Sequence, residues 1–155
     1  MDTKLAPLHK NKNIALVAHD NMKPVLTDWA LKNRDLLANH ALYATGTTGF
    51  TIEKALNMKI HKFISGPLGG DQQIGAKISE GDIDVLIFFW DPFEPMPHDP
   101  DVKALLRLAA AWNIPIASNP ASADFLITSP LIGESYERAI PDYERYINER
   151  TSSLK

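Results

Sequence analysis

The run Val85-Leu86-Ile87-Phe88-Phe89-Trp90 constrains the fold of this chain more than any other stretch. It carries no polar alternation, so a strand built from it must be covered on both faces, as strands are in parallel sheets wrapped by helices. Asn13-Ile14-Ala15-Leu16-Val17-Ala18 has the same character and stops at His19-Asp20. Shorter β-type runs at Ala41–Ala44, Lys62–Ile64 and Ile114–Ala117 alternate with segments of helical spacing. Met22, Val25, Leu26 and Trp29 mark one helix, running to about Leu37 with Pro24 in its first turn, where a missing N–H costs little. Further helices are expected over Phe50–Leu56, from Asp71 to a stop at Gly81 with Ile74 and Ile78 inward, and after a cap at Asp101 with Val102, Leu105, Leu106 and Ala109 on one face. Pro120–Ile127 is one more. Arg138–Pro141 is a candidate for a short antiparallel edge strand and Asp142–Arg150 for a terminal helix. This alternation predicts a single α/β domain over residues 1–155, a three-layer α/β/α arrangement around a mostly parallel five-stranded sheet.

Composition narrows the function. At 155 residues the chain buries one sizeable core, and 45% apolar with 23% charged residues is ordinary for a globular protein. Sixteen basic against nineteen acidic side chains leave a net charge of −3, without long blocks of one sign, which argues against nucleic acid as a partner. Met1 to Lys12 is polar with scattered lysines and lacks a signal-peptide core, and no run approaches the roughly 18 apolar residues of a membrane helix. With no cysteine there are no disulfides, thiolate nucleophiles or thiolate metal sites, which suits a cytoplasmic protein.

In parallel sheets the ligand sits beyond the carboxyl ends of the strands. There the polar clusters gather: His19-Asp20, Thr45–Thr48, Ser65-Gly66, Asp91 with His98, and Asn119. Two of them are glycine turns, Thr45-Gly46-Thr47-Thr48-Gly49 and Ser65-Gly66-Pro67-Leu68-Gly69-Gly70, each between a β-type run and a helix start. Free backbone N–H groups and the positive helix end then point at one spot, the local geometry of a phosphate pocket. Taken singly, such turns serve equally well as tight connections and caps. Neither fits a nucleotide P-loop or a dinucleotide fingerprint, so a small phosphate ester is the better ligand. Lys23 can bring a full charge to the same edge, although lone lysines are mostly solvated.

Asp71 ends the second turn and could be a simple N-cap. Beside a bound phosphate, however, like-charge repulsion would raise its proton affinity, which suits a general base acting on a carbon acid. Asp20, Asp91 and Asp101 are its rivals, Asp101 having the look of a cap. His19 and His98 are each, alone, more often structural than catalytic; together with an acid and a phosphate cradle they fit groups that donate to a carbonyl or enediolate oxygen. Nothing in the spacing of the histidines suggests a metal site.

Val17-Ala18-His19-Asp20, Ala44-Thr45-Gly46-Thr47-Thr48-Gly49, Ser65-Gly66-Pro67-Leu68-Gly69-Gly70-Asp71-Gln72-Gln73 and Phe88-Phe89-Trp90-Asp91-Pro92 closely resemble the methylglyoxal synthase family. The likeness continues through Pro97-His98-Asp99-Pro100-Asp101 to Ile140-Pro141-Asp142-Tyr143 and covers roughly Asn13 to Arg150. The first dozen residues and the stretch around Leu131–Ala139 depart from it. The resemblance implies a Rossmann-like, methylglyoxal synthase-like domain that acts as a lyase, converting dihydroxyacetone phosphate to methylglyoxal and inorganic phosphate without metal or organic cofactor. It implies Asp71 as the base, and His98 and His19 as contacts to the substrate's oxygens. Lys23, Thr45, Gly46, Thr47, Thr48, Ser65 and Gly66 would hold the phosphate, and Asp20, Asp91 and Asp101 match acids lining the family's site. It further implies a homohexamer inhibited cooperatively by phosphate, with Arg150 reaching Asp20 of the partner subunit.

Two other classes compete. A non-catalytic regulatory module of the same fold, like the domain at the end of large carbamoyl phosphate synthetases, would keep a phosphate cradle but has no reason to hold Asp71 and His98 together. A phosphoacceptor signalling domain would need an acid pair after the first strand and a lysine after the last, and these are not found.

Overall fold

The computed structural model describes residues 1–154; the last position of the expected domain, 155, lies outside them. Strand β1 (Thr3–Leu8) precedes β2 (Asn13–Ala18), helices α1 (Lys23–Lys32) and α2 (Arg34–Leu37), β3 (Ala41–Thr45) and α3 (Gly46–Leu56). The chain continues through β4 (His61–Phe63), α4 (Gly70–Glu80), β5 (Val85–Phe89), α5 (Asp99–Ala111), β6 (Ile116–Ala117), α6 (Pro120–Thr128), β7 (Tyr136–Pro141) and α7 (Tyr143–Thr151). Five strands form a parallel sheet in the order β4-β3-β2-β5-β6, reversing direction of travel between β2 and β5.

The unalternating runs are buried on both faces because their side chains go to two separate cores. Ile14, Leu16 and Ala18 of β2, with Val85, Ile87 and Phe89 of β5, pack under Leu26 and Trp29 of α1, Ile52 and Leu56 of α3, and Ala123 and Ile127 of α6. The intervening Ala15, Val17, Leu86 and Phe88 meet Ile74 and Ile78 of α4 and Val102, Leu105 and Ala109 of α5. A period of two within each strand thus feeds both layers. Phe88 and Phe89 are both fully buried, each contributing roughly 1.5–3 kcal/mol through burial. Among the described residues no helix is long and apolar enough to cross a membrane.

Several boundaries differ from expectation for identifiable reasons. The first helix breaks at Asn33, whose side-chain amide donates to the Trp29 carbonyl (2.9 Å) and competes with the backbone ladder. Helix α3 starts at Gly46 rather than Phe50, so the first glycine turn is itself the helix start. Helix α5 starts at Asp99, because Pro100 falls in the first turn, where a helix tolerates proline; Asp101 therefore sits inside that turn and is not the cap.

The carboxyl-terminal strand is present and antiparallel, but it is longer than Arg138–Pro141 and pairs away from the main sheet. It forms a two-stranded sheet with β1, from Thr3 opposite Pro141 to Leu8 opposite Tyr136. The polar opening of the chain is thus partly a strand, with Pro7 tolerated because the ribbon leaves edges unpaired. Lys12, almost completely buried, ties this layer down by donating to the backbone carbonyls of His9 and Glu134, the latter at 2.7 Å.

The second glycine turn is packed without slack. A Cβ at Gly70 would lie 2.0 Å from the carbonyl oxygen of Ile64, whereas at Gly81, where α4 ends at φ +83°, it would meet open space. In urea unfolding, Gly70→Ala is expected to lose at least about 3 kcal/mol because backbone must move. Gly81→Ala should lose only about 1 kcal/mol, the cost of left-handed backbone.

Candidate active site

A cavity of about 520 Å³ opens at the carboxyl ends of β2, β3 and β4 and is closed on the far side by the start of α5. Two segments some twenty residues apart form its floor because Gly46 has no side chain. Gly46 adopts φ +43°, and a Cβ there would stand 2.8 Å from both Cα and Cβ of Ser65. Two glycine turns therefore share one wall.

One side of the cavity is built for an anion. Gly46, Thr47 and Thr48, the first turn of α3, line it with N–H groups that have no acceptor within the helix. Thr45 is the N-cap of α3 and Ser65 the N-cap of the short 3-10 turn Gly66–Leu68, yet neither hydroxyl caps its own helix. Thr45 and Thr48 are nearly fully buried. Lys23 brings the charge: its Nζ donates to Thr47 Oγ1 at 2.6 Å and to Asp20 Oδ1 at 2.5 Å. The hydrogen bond and charge of Lys23 hold the Asp20 carboxyl below the ordinary aspartate range. Asp20 itself is exposed at the rim.

The other side holds a carboxylate and two imidazoles. Asp71 lies in the first turn of α4, behind Gly69, so it is not the cap. It is 3% exposed, and its Oδ2 is buried with no hydrogen-bond partner. Burial pushes its proton affinity up; nearby His98 and His19 pull it back and Asp101 adds to the rise. Gly66 makes room for it, since a Cβ there would stand 3.3 Å from both carboxylate oxygens. The His19 ring packs edge-on against His98, centroids 5.2 Å apart, and against Phe88 at 5.4 Å.

His19 is held in one protonation form. Its Nδ1 accepts the backbone N–H of Asp91 at 3.0 Å, which places the ring proton on Nε2. Burial, then the neighbouring His98, lower its basicity, against the opposing pull of Asp71, Asp99 and Asp91. Its Nε2 is buried without a protein partner. The cavity thus presents a neutral N–H donor, an unpaired carboxylate oxygen and an anion cradle to one volume.

His19, Asp20, Lys23, Thr45, Gly46, Thr47, Thr48, Ser65, Gly66, Asp71, His98 and Asp101 all line this cavity. Asp91 does not, contrary to expectation. Its Oδ1 accepts the N–H of Phe93 in an Asx turn (2.9 Å) and its Oδ2 accepts from Asn21 (2.9 Å), so the carboxylate turns toward a neighbouring cavity with Trp90, Phe93 and Lys103. Asn119 is also elsewhere, capping α6 through the Ser122 N–H. Arg150 lies in α7 with its guanidinium 4.6 Å from the centre of the Tyr146 ring. Pro67, in the second glycine turn, and Met96 and Pro97, in the loop after β5, also line the cavity. Among the described residues no three histidine or carboxylate side chains are gathered to hold a metal ion.

The MGS-like domain family matches residues 26–118. Methylglyoxal synthase of Saccharophagus degradans is 66% identical over 154 residues, covering 99% of this chain and all of that protein. The Cellvibrio japonicus methylglyoxal synthase is 61% identical over 150 residues, 97% of each. The crystal structure of methylglyoxal synthase from Elizabethkingia anophelis superposes with a TM-score of 0.87 at 49% identity, covering 93% of this chain and 95% of that one. Likeness of this extent, in sequence and in backbone alike, means that the chain belongs to the methylglyoxal synthase family and is a lyase.

Proposed function

We propose that this lyase converts dihydroxyacetone phosphate to methylglyoxal and inorganic phosphate, with Asp71 as the base. The observation that carries the proposal is the buried, unpartnered Asp71 Oδ2 in the same cavity as the donors of the two glycine turns. A module that only bound a phosphate ligand would have no use for that carboxylate, which costs stability wherever it is charged.

In this reading Lys23, Thr45, Gly46, Thr47, Thr48, Ser65 and Gly66 grip the phosphate. Asp71 takes a proton from the hydroxymethyl carbon beside the carbonyl. The electron pair left behind forms a carbon–carbon double bond and the carbonyl oxygen becomes the enediolate oxygen, which His98 and the Nε2–H of His19 stabilise by donation. As the hydroxyl on the same carbon gives up its proton and becomes the aldehyde, the double bond shifts and the phosphate C–O bond breaks. The enolate of methylglyoxal then takes one of the two released protons at its terminal carbon, and the phosphate leaves with the other. Elimination requires the breaking C–O bond to stand across the enediolate plane; held in that plane, the intermediate would survive to be reprotonated. The grip on the phosphate therefore selects the outcome by orientation as much as by charge. Asp101 at the cavity edge tunes Asp71, and Asp91 acts through its neighbours.

The same proposal takes the chain as one domain that assembles as a cytoplasmic homohexamer, with Arg150 reaching Asp20 of the partner subunit and inorganic phosphate acting as inhibitor by competing for the cradle. No metal or organic cofactor enters any step.

Incubation of the purified protein with dihydroxyacetone phosphate and a chelator is expected to release methylglyoxal and phosphate in equal amounts; release of neither would defeat the proposal. Asp71→Asn should abolish turnover while inorganic phosphate still binds, and an active variant would place the base elsewhere. The same substitution should stabilise the fold by about 1 kcal/mol at pH 7, the scale of a buried unpaired polar group. The sign follows from the raised proton affinity: native Asp71 is more readily protonated than the unfolded residue, so its penalty is present at neutral pH. The gain should fade as the pH falls through the raised native value toward the ordinary aspartate value of about 3.9, below which both forms are neutral. For the same reason the acid limb of turnover should lie above that value.

A further inference from the structure

We propose that Asn21 is a positioning residue of this lyase: it clamps the turn after β5 so that the Asp91 backbone N–H keeps the His19 ring presenting Nε2–H to the cavity. This rests on the reading that His19 donates to a substrate oxygen.

Asn21 is exposed on the turn after β2 and touches nothing in the cavity, so its role has to be indirect. Both hydrogens of its side-chain amide are committed to the next loop, to Asp91 Oδ2 at 2.9 Å and Glu94 Oε2 at 2.5 Å. Asp91 Oδ1 is held in turn by the Phe93 N–H. The Asp91 carboxylate is therefore anchored through both oxygens, and the peptide that carries its N–H cannot drift from His19 Nδ1.

The loop needs an outside donor. Three of its residues, Pro92, Pro95 and Pro97, have no N–H to offer, and two of the others are carboxylates that repel each other. A single amide from the neighbouring loop draws both carboxylates to one point. At the far end of the loop, Asp99 Oδ2 accepts the Met96 N–H at 3.2 Å, just before the helix that follows His98. The segment delivering His98 is thus braced at both ends, and of these two braces the one from Asn21 crosses to the segment after β2 that carries His19.

If the Asp91 N–H moves away, Nδ1 loses its fixed donor and the ring proton can sit on either nitrogen. A ring with its proton on Nδ1 turns a lone pair toward the enediolate oxygen, which repels developing negative charge. The loss then falls on the chemical step rather than on the phosphate grip.

The test compares the full-length protein with Asn21→Ala and Asn21→Asp, which keeps the shape but swaps the donor for a third carboxylate. Steady-state kinetics on dihydroxyacetone phosphate should give a kcat lowered about tenfold in Asn21→Ala, the factor lost with a net hydrogen bond of this kind, and lowered further in Asn21→Asp. KM should stay within about twofold, because the cradle is untouched. The thermal midpoint should not move, because the side chain is exposed. Nitrogen-15 NMR of the imidazoles should show His19 protonated only at Nε2 in the parent protein, with Nδ1 acquiring proton character in Asn21→Asp. Parent-like kcat in both variants would overturn the proposal, as would lowered kcat with an unchanged His19 spectrum. A parent protein inactive on dihydroxyacetone phosphate would instead remove the substrate reading, and the His19 spectrum would still decide whether Asn21 sets the tautomer.

Discussion

The close approach of Gly46 to Ser65 is the contact on which the site depends. It sets the first turn of α3 against the turn after β4, so that hydroxyls and free N–H groups from two segments address one volume. Any side chain at position 46 would have to displace the backbone of the second turn, and it would also have to accept φ +43°. The sheet supplies the frame for this contact. Parallel β2, β3 and β4 end at the same level, and the alternation of their side chains into two separate cores leaves only the strand ends free for chemistry.

Within that frame the site holds groups in states that water would not favour. Asp71 is buried with one oxygen unpaired, and His19 is kept neutral with its free N–H facing inward. The two effects complement each other. A carboxylate whose proton affinity is raised by burial is a better base than an exposed one, and an imidazole that is already neutral donates a hydrogen bond without first losing a charge. Lys23, shared between Thr47 and exposed Asp20, brings a positive charge to the same cavity.

Much of this was legible in the sequence because it rests on local chemistry. Unalternating runs such as Val85–Trp90 identify covered strands, and glycine turns between strand and helix mark where free N–H groups gather at one cavity. What was hidden depends on partners distant along the chain. Thr3–Leu8 has a weak pattern of its own and becomes a strand only by pairing with Tyr136–Pro141. The start of α5 was masked by Pro100, since the density of prolines after β5 speaks against a helix until the loop's exit is seen. Asp91 reads from its strand-end position as a group facing the ligand, but the Phe93 N–H and Asn21 turn its carboxylate away. Its backbone N–H, which reaches His19, belongs to every residue type but proline and leaves no mark in a sequence. Asn21 likewise gives no signal, since the two acceptors of its amide lie on another loop.

The most direct measurement of the shared cavity is a carbon-13 NMR titration of the Asp71 carboxyl, with and without saturating inorganic phosphate. If buried carboxylate and anion cradle face the same space, the Asp71 midpoint lies above the ordinary aspartate value of about 3.9 and rises again when phosphate binds, through like-charge repulsion. An ordinary midpoint that ignores phosphate would contradict the arrangement at its centre.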